Sequence, residues 1–263
     1  MGVLNVTPDS FSDGGCFLDV HDAAARAWEI AEEGADILDV GAESTRPGSS
    51  GVNVDEELAR ILPVLEALAG SYPIPISIDT SKADVAAAAA DLGAAIINDV
   101  SALKKDSRMG EVAARYKMGL ILMHMRGDPQ NMQTLPMSRD ILGELEDWAN
   151  LAADRALQHG VSRDKLILDP GIGFGKSAGQ NLEIIRNLNR LAAFDLPVLV
   201  GTSRKSFIGK ILNVPARNRV WGTGATVAAS ILFGAHIVRV HDVAAMRQIA
   251  RVTDAILGGG ELE

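Results

Sequence analysis

The chain contains one cysteine, Cys16, in 263 residues. A lone cysteine excludes an intrachain disulfide framework and points to a reducing, cytoplasmic setting. Long apolar runs are also missing. None approaches the ~20 residues that cross a bilayer, so no membrane partner is expected. The opening Met1-Gly2-Val3-Leu4-Asn5 has neither the basic flank nor the extended apolar stretch of a secretory signal. Met1 sits directly on what reads as a strand, so no leading segment is expected. Positive charge is in deficit, with a formal net charge of −9. An acidic surface argues against nucleic acid as the main partner. Proline-rich linkers, charge blocks and low-complexity stretches are absent as well. Residues 1–263 are therefore expected to form a single domain.

Hydrophobic residues make up 47% of the chain, enough for a sizeable core without staples or structural metals. They cluster into eight short runs, at 2–6, 37–40, 74–78, 95–98, 120–124, 166–169, 198–201 and 237–240. These are rich in Ile, Leu and Val, as strands buried on both faces should be. Amphipathic stretches at 55–68, 83–92, 141–159, 181–192 and 244–257 read as crossover helices. Gly34, Gly93, Gly119 and Gly160 each close a helical stretch before a strand. Eight strand–helix units without an early glycine-rich dinucleotide fingerprint favour a closed (β/α)8 TIM barrel over an open doubly wound sheet.

Polar residues stand where these strands stop: Asn5, Asp79, Asn98 and Asp169, with Arg239 and His241 after the last run. A parallel barrel gathers such strand ends on one rim and builds its active site there. Two long irregular stretches, 7–20 and 41–55, leave that rim. The first reads Asn5-Val6-Thr7-Pro8-Asp9-Ser10-Phe11-Ser12-Asp13-Gly14-Gly15, and the second Gly41-Ala42-Glu43-Ser44-Thr45-Arg46-Pro47-Gly48. Their length and glycine content make them candidate lids. Phe11 stands among polar neighbours, and Arg46 offers a forked donor set suited to an anion.

These two loops, together with Ser77-Ile78-Asp79-Thr80, Ile97-Asn98-Asp99-Val100, Leu168-Asp169-Pro170-Gly171-Ile172-Gly173-Phe174-Gly175-Lys176, Ser203-Arg204-Lys205-Ser206 and Arg239-Val240-His241-Asp242, resemble dihydropteroate synthase. That family joins a pterin to p-aminobenzoate. The likeness runs over essentially the whole chain from Gly2, and the short segment the family usually carries before its first strand is missing. The resemblance implies that Asp79, Asn98, Asp169 and Lys205 hold the pterin. It implies that Asn5 carries Mg2+ while Arg239 and His241 bind the diphosphate. Thr45, Pro47, Phe174, Lys205, Ser206 and Phe11 are expected to surround p-aminobenzoate. Asp79, Lys205 and Arg46 are the residues expected to carry catalysis.

The residue types suit that chemistry. A carboxylate accepts two adjacent donors such as a pterin's ring N–H and exocyclic amine. Asn both donates and accepts. Mg2+ bonds mainly to water and phosphate oxygens, so one amide oxygen suffices. Asn5 lies more than two hundred residues from Arg239 and His241, and only closure of the barrel can bring them to one diphosphate. Departure of diphosphate leaves a delocalised pterin cation, a dissociative course that carboxylates would stabilise.

Other signals carry less. The 171–177 segment looks like a nucleotide phosphate loop, but Pro170 occupies its first required glycine position. His21, His159 and His236 have no metal spacing. Two further readings are a methyltetrahydrofolate methyltransferase-like barrel and a non-catalytic pterin-binding protein. The first has less need of Asn5, Arg239 and His241, and the second less need of both loops. The resemblance also implies sulfonamide inhibition, since Asp79 runs through Lys82 into its helix without an insertion. It implies a homodimer as well, with 221–233 as the apolar face.

Overall fold

A computed structural model describes residues 1–7, 20–43, 51–128, 130–132 and 134–258. Eight strands alternate with helices. In chain order they are β1 (Gly2–Asn5), α1 (Val20–Glu32), β2 (Leu38–Gly41), α2 (Val54–Leu68), β3 (Ile76–Asp79), α3 (Ala83–Asp91), β4 (Ile96–Asp99), α4 (Met109–Arg115), β5 (Gly119–Met123), α5 (Ile141–Gln158), β6 (Leu166–Asp169), α6 (Ala178–Arg186), α7 (Asn189–Ala192), β7 (Leu199–Val200), α8 (Ser206–Leu212), α9 (Val220–Leu232), β8 (Ile237–Val238) and α10 (Val243–Ile256). All eight expected strands are present, with no end displaced by more than two residues. The amphipathic stretch 181–192 is two helices rather than one. Asn187 leaves helical geometry at φ −124°, and its side chain donates to the Glu183 carbonyl at 2.8 Å. This side-chain bond to the backbone competes with continuation of the helix.

Strands β1 through β6 pair in sequence order, all parallel, and β7 pairs with β8. Parallel bridges join Leu168 to Val198 and Gly2 to Val240. At the second seam Val3 N–H donates to the Val240 carbonyl and Val240 N–H to the Met1 carbonyl, both at 3.0 Å. The ring is therefore closed, with the first and last strands adjacent. The expected (β/α)8 TIM barrel is the observed fold.

Two cores follow from the two-residue alternation of the strands. Leu4, Leu38, Val40, Ile78, Ile97, Leu120, Leu122, Leu168, Val200 and Val240 pack outward against the helices. Met1, Ile121 and Leu199, with Ile37, Ile96, Ile167 and Ile237, fill the lumen. Side chains two residues further along each lumen-facing row emerge on the carboxyl rim. That parity brings Asp39, Asp79, Asn98, Asp169 and Arg239 to one face. The helices start on local signals: Asn53 caps α2, Asp140 caps α5, and Ser177 with Gln180 forms a reciprocal capping box on α6. Among the described residues no helix is long and apolar enough to cross a membrane.

Candidate active site

Strand register builds the floor of the site. Asn5 pairs with Gly41, Gly41 with Asp79, and Asp79 with Asn98, one continuous row over four strands. Gly41 keeps that row open, because a Cβ there would stand 3.2 Å from the Cβ of Asp79. Asp169 follows at the end of β6, paired with Met123. Asn5 is exposed at the rim, whereas Asn98 and Asp169 are buried.

Asp39, to which the sequence reading gave no role, lies at the centre. It is fully buried. It accepts from Arg239 Nε at 2.6 Å and from Asn98 Nδ2 at 3.3 Å. Arg239 reaches the other way as well, donating from Nη2 to Asp79 Oδ2 at 2.9 Å. One guanidinium from just after the last strand thus bridges carboxylates of the second and third. Asn98 has its donor end committed to Asp39, and its Oδ1 is buried without a protein partner. What it offers a ligand is an acceptor. A signal for Asp39 was present: a carboxylate amid Ile37-Leu38-Asp39-Val40, in a strand buried on both sides, must find a cation.

These contacts set the electrostatics. Burial pushes the Asp79 carboxyl up to about 7, against the pull of Arg239 and with the help of the Asp39 charge. Burial works against the Arg239 cation, but Asp39 and Asp79 outweigh it and hold it charged. Burial also raises the Asp169 pKa, opposed by Lys205 and by the Gly171 N–H, which donates to Asp169 Oδ1 at 2.7 Å.

Lys205 comes from the residue preceding α8. Its Nζ donates to the Ile172 carbonyl and stands 4.6 Å from the Phe174 ring centroid. Burial lowers its pKa to about 8, with Asp169 opposing. Ser206 is exposed at the first turn of α8. The His241 ring lies 2.9 Å from Ser203 Oγ, and the His241 N–H donates to the same oxygen at 3.2 Å. His241 and Arg239 follow β8, on the same rim as Asn5 and next to it across the closed seam. Phe11, Thr45, Arg46 and Pro47, and with them most of the two candidate lids, lie outside the described residues.

A cavity of about 220 Å³ opens beside Asp79, lined also by Glu43, Val100, Ser101, Lys104 and Met125. On the far side of the site sits His124, whose Nδ1 is buried without a partner and whose ring meets Trp148 edge-on at 5.3 Å. Burial, aided by the Lys176 charge, lowers its pKa to about 2, so it is a neutral packing group. Among the described residues no cluster of three or more His, Cys, Asp or Glu could hold a metal.

The arrangement sets buried carboxylates and the open Asn98 acceptor beside the Arg239 and Lys205 cations, with the Phe174 ring under Lys205. Residues 1–241 match the profile of the family described as pterin binding enzyme. The dihydropteroate synthase of Synechocystis sp. is 49% identical over 257 residues, 97% of this chain and 89% of the relative. A crystal structure of Yersinia pestis dihydropteroate synthase with a sulfonamide drug has a TM-score of 0.92 at 42% identity, covering 98% of this chain and 93% of that one. The Xanthomonas albilineans dihydropteroate synthase with 4-aminobenzoic acid has a TM-score of 0.91 at 40% identity, covering 97% and 92%.

Proposed function

This chain belongs to the dihydropteroate synthase family of pterin-binding enzymes, and from that premise we propose how its residues divide the work. The reaction is a transferase reaction of folate biosynthesis. The methylene of 6-hydroxymethyl-7,8-dihydropterin diphosphate is joined to the amine of p-aminobenzoate, and diphosphate leaves. In our reading the whole chain serves as one pterin-binding barrel domain in the cytoplasm.

Asp169, Asn98, Asp79 and Lys205 hold the pterin. Asp169 accepts paired donors from its guanidine-like edge, and the open Oδ1 of Asn98 accepts a further ring donor. Lys205 donates toward the ring and covers p-aminobenzoate together with Phe174. Ser206 meets the aminobenzoate carboxylate, and Thr45, Pro47 and Phe11 close on it. Arg239 and His241 take the diphosphate, with Arg46 as a further cation. As diphosphate departs, ionised Asp79 and Asp39 stabilise the positive charge left on the pterin, in a site too buried for water to do so. Proximity then delivers the aminobenzoate amine, which is largely unprotonated at neutral pH.

Asn5 fits Mg2+: it is exposed at the rim end of β1, and a single amide oxygen completes a shell otherwise made of water and phosphate. Bound there, Mg2+ would neutralise charge on the leaving diphosphate. Sulfonamides, as mimics of p-aminobenzoate, should inhibit this chain. The residues joining β3 to α3, Thr80 to Lys82, carry no insertion that would disturb their site. Exposed Trp221, Leu232 and Phe233 on and after α9, with Val252 and Ile256 on α10, support a homodimer through these helices.

The row from Asn5 to Asn98, tied through Asp39 to Arg239 just after the last strand, carries this reading. It is tested by mixing pterin diphosphate, p-aminobenzoate and Mg2+ and measuring diphosphate release. Release that depends on p-aminobenzoate and stops with saturating sulfonamide is expected. Pterin binding without release would leave a binding protein instead.

A further inference from the structure

Lys176 is 9% exposed, yet its ammonium donates to no carboxylate. Its Nζ donates instead to the carbonyls of His124 at 3.2 Å, Gly171 at 2.9 Å and Phe174 at 3.1 Å. An ammonium has three donors, and here all three end on neutral backbone oxygens. Burial lowers the Lys176 pKa to about 7, with the Asp169 charge opposing, and the three bonds it makes offset part of the cost of burying it.

Lys176 organises one turn. The segment from Gly171 to Gly175 has three glycines at positive φ, 62°, 87° and 67°. The first lies so near β5 that a Cβ would meet the His124 carbonyl at 1.9 Å. Such a backbone forms no ladder; Phe174 N–H donates to the Gly171 carbonyl at 3.1 Å, and Lys176 adds a donor there and supplies one to the Phe174 carbonyl. The same turn presents the Ile172 carbonyl to Lys205 and the Phe174 ring beneath it. The Asp169 backbone is held by the β5–β6 pairing, where His124 N–H donates to its carbonyl at 2.8 Å, and the turn reaches its carboxylate through the Gly171 N–H alone.

We infer that Lys176 is a positioning residue for the aminobenzoate half of the site: by gathering three carbonyls it fixes the turn on which Lys205 and Phe174 are set. This rests on the assignment of Phe174 to that half and of Lys205 to both. The turn touches the pterin half only through the Gly171 N–H on Asp169 and through Lys205, while Asp79, Asn98 and Asp169 stand on strands, so loss of Lys176 should weigh more on p-aminobenzoate than on the pterin. A residue that merely stabilised the barrel would weaken both alike.

The test compares Lys176→Met, which keeps the volume and removes the donors, with Lys176→Arg, which restores charge and donors. Michaelis constants for both substrates are measured on the full chain, well below each variant's Tm. For Lys176→Met the KM for p-aminobenzoate should rise about tenfold and that for pterin diphosphate by less than about threefold, with Lys176→Arg recovering part of the loss. An equal rise in both constants, or no change in either, would overturn the inference. Should Lys176→Met fail to fold, Lys176→Gln, which keeps two donors, carries the same comparison. Lys205→Met serves as the control. If it leaves both constants unchanged, the assignment of Lys205 fails and takes the inference with it. If it impairs p-aminobenzoate while Lys176→Met does not, the inference alone fails.

Discussion

Replacing Asp39 with Asn keeps the shape of the central side chain and removes its charge. In the native protein Asp39 is fully buried and meets Arg239 at 2.6 Å, while Arg239 also holds Asp79 at 2.9 Å. Removing one partner of a buried ion pair costs about 3–5 kcal/mol when the other charge is left alone. Here Asp79 still holds the guanidinium and the Asn amide oxygen can still accept. We therefore expect a loss of about 2–3 kcal/mol in urea unfolding at pH 8, in line with roughly 4 kcal/mol for two charges ~4 Å apart at an effective dielectric of 20. A second effect concerns pH. Asp79, raised to about 7, carries a proton in the folded state that the unfolded chain has released between about pH 4 and 7. Its contribution to stability therefore falls as pH rises through that window. In Asp39→Asn a raising charge is gone and Arg239 turns wholly to Asp79, so the Asp79 pKa drops and this slope flattens. If ionised Asp79 stabilises the departing cation, the acid limb of kcat, followed by diphosphate release, moves to lower pH. A limb that stays put or moves upward would refute the reasoning, as would a stability loss below about 0.5 kcal/mol.

Three further outcomes can be checked. His124→Phe should make the protein less acid-sensitive. Burial holds the imidazole near a pKa of about 2, so the folded state forgoes a proton the unfolded chain binds below about pH 6.5. That cost reaches about 2 kcal/mol at pH 5, and urea midpoints at pH 5 and 8 should converge in the variant. Asn98→Leu removes the open acceptor and one partner of Asp39, and should weaken pterin binding by calorimetry by about 1–3 kcal/mol while p-aminobenzoate-site contacts remain intact. Trp221→Lys, at a side chain 83% exposed, should shift the solution mass toward a monomer without lowering the urea midpoint of the monomer itself.

Much of the site was legible because a polar residue ending an apolar run is a visible event. Asn5, Asp79, Asn98 and Asp169 each end a strand in the structure or stand one residue inside its end. Asp39 escaped because it sits mid-strand, where the eye expects packing. Only the parity that puts it on the face of Ile37 and Gly41 shows that it points into the lumen. Arg239 was read as an anion binder from its place after β8, and its ties to two carboxylates depend on register across the seam, which no local pattern encodes. Lys176 was set aside with the false phosphate loop around it. Excluding nucleotide there left open what a buried lysine does among glycines, and the answer, three carbonyls from two strand ends, is tertiary. The break between α6 and α7 turned on a single Asn side chain bonding back to the helix, too local for amphipathic periodicity to register.

The seam joining β1 to β8 also orders events during synthesis. The ribosome releases β1 first and β8 almost last, so through most of translation the first strand has one flank bare. Asp39 and Asp79 meanwhile sit in a half-built lumen without the guanidinium that neutralises them. The charge that permits their burial arrives only with residue 239, and the ring cannot shut cheaply before it. Ring formation and assembly of the reaction centre are therefore a single late step, and a chain stopped short of β8 would be left with an open edge and two mutually repelling acids.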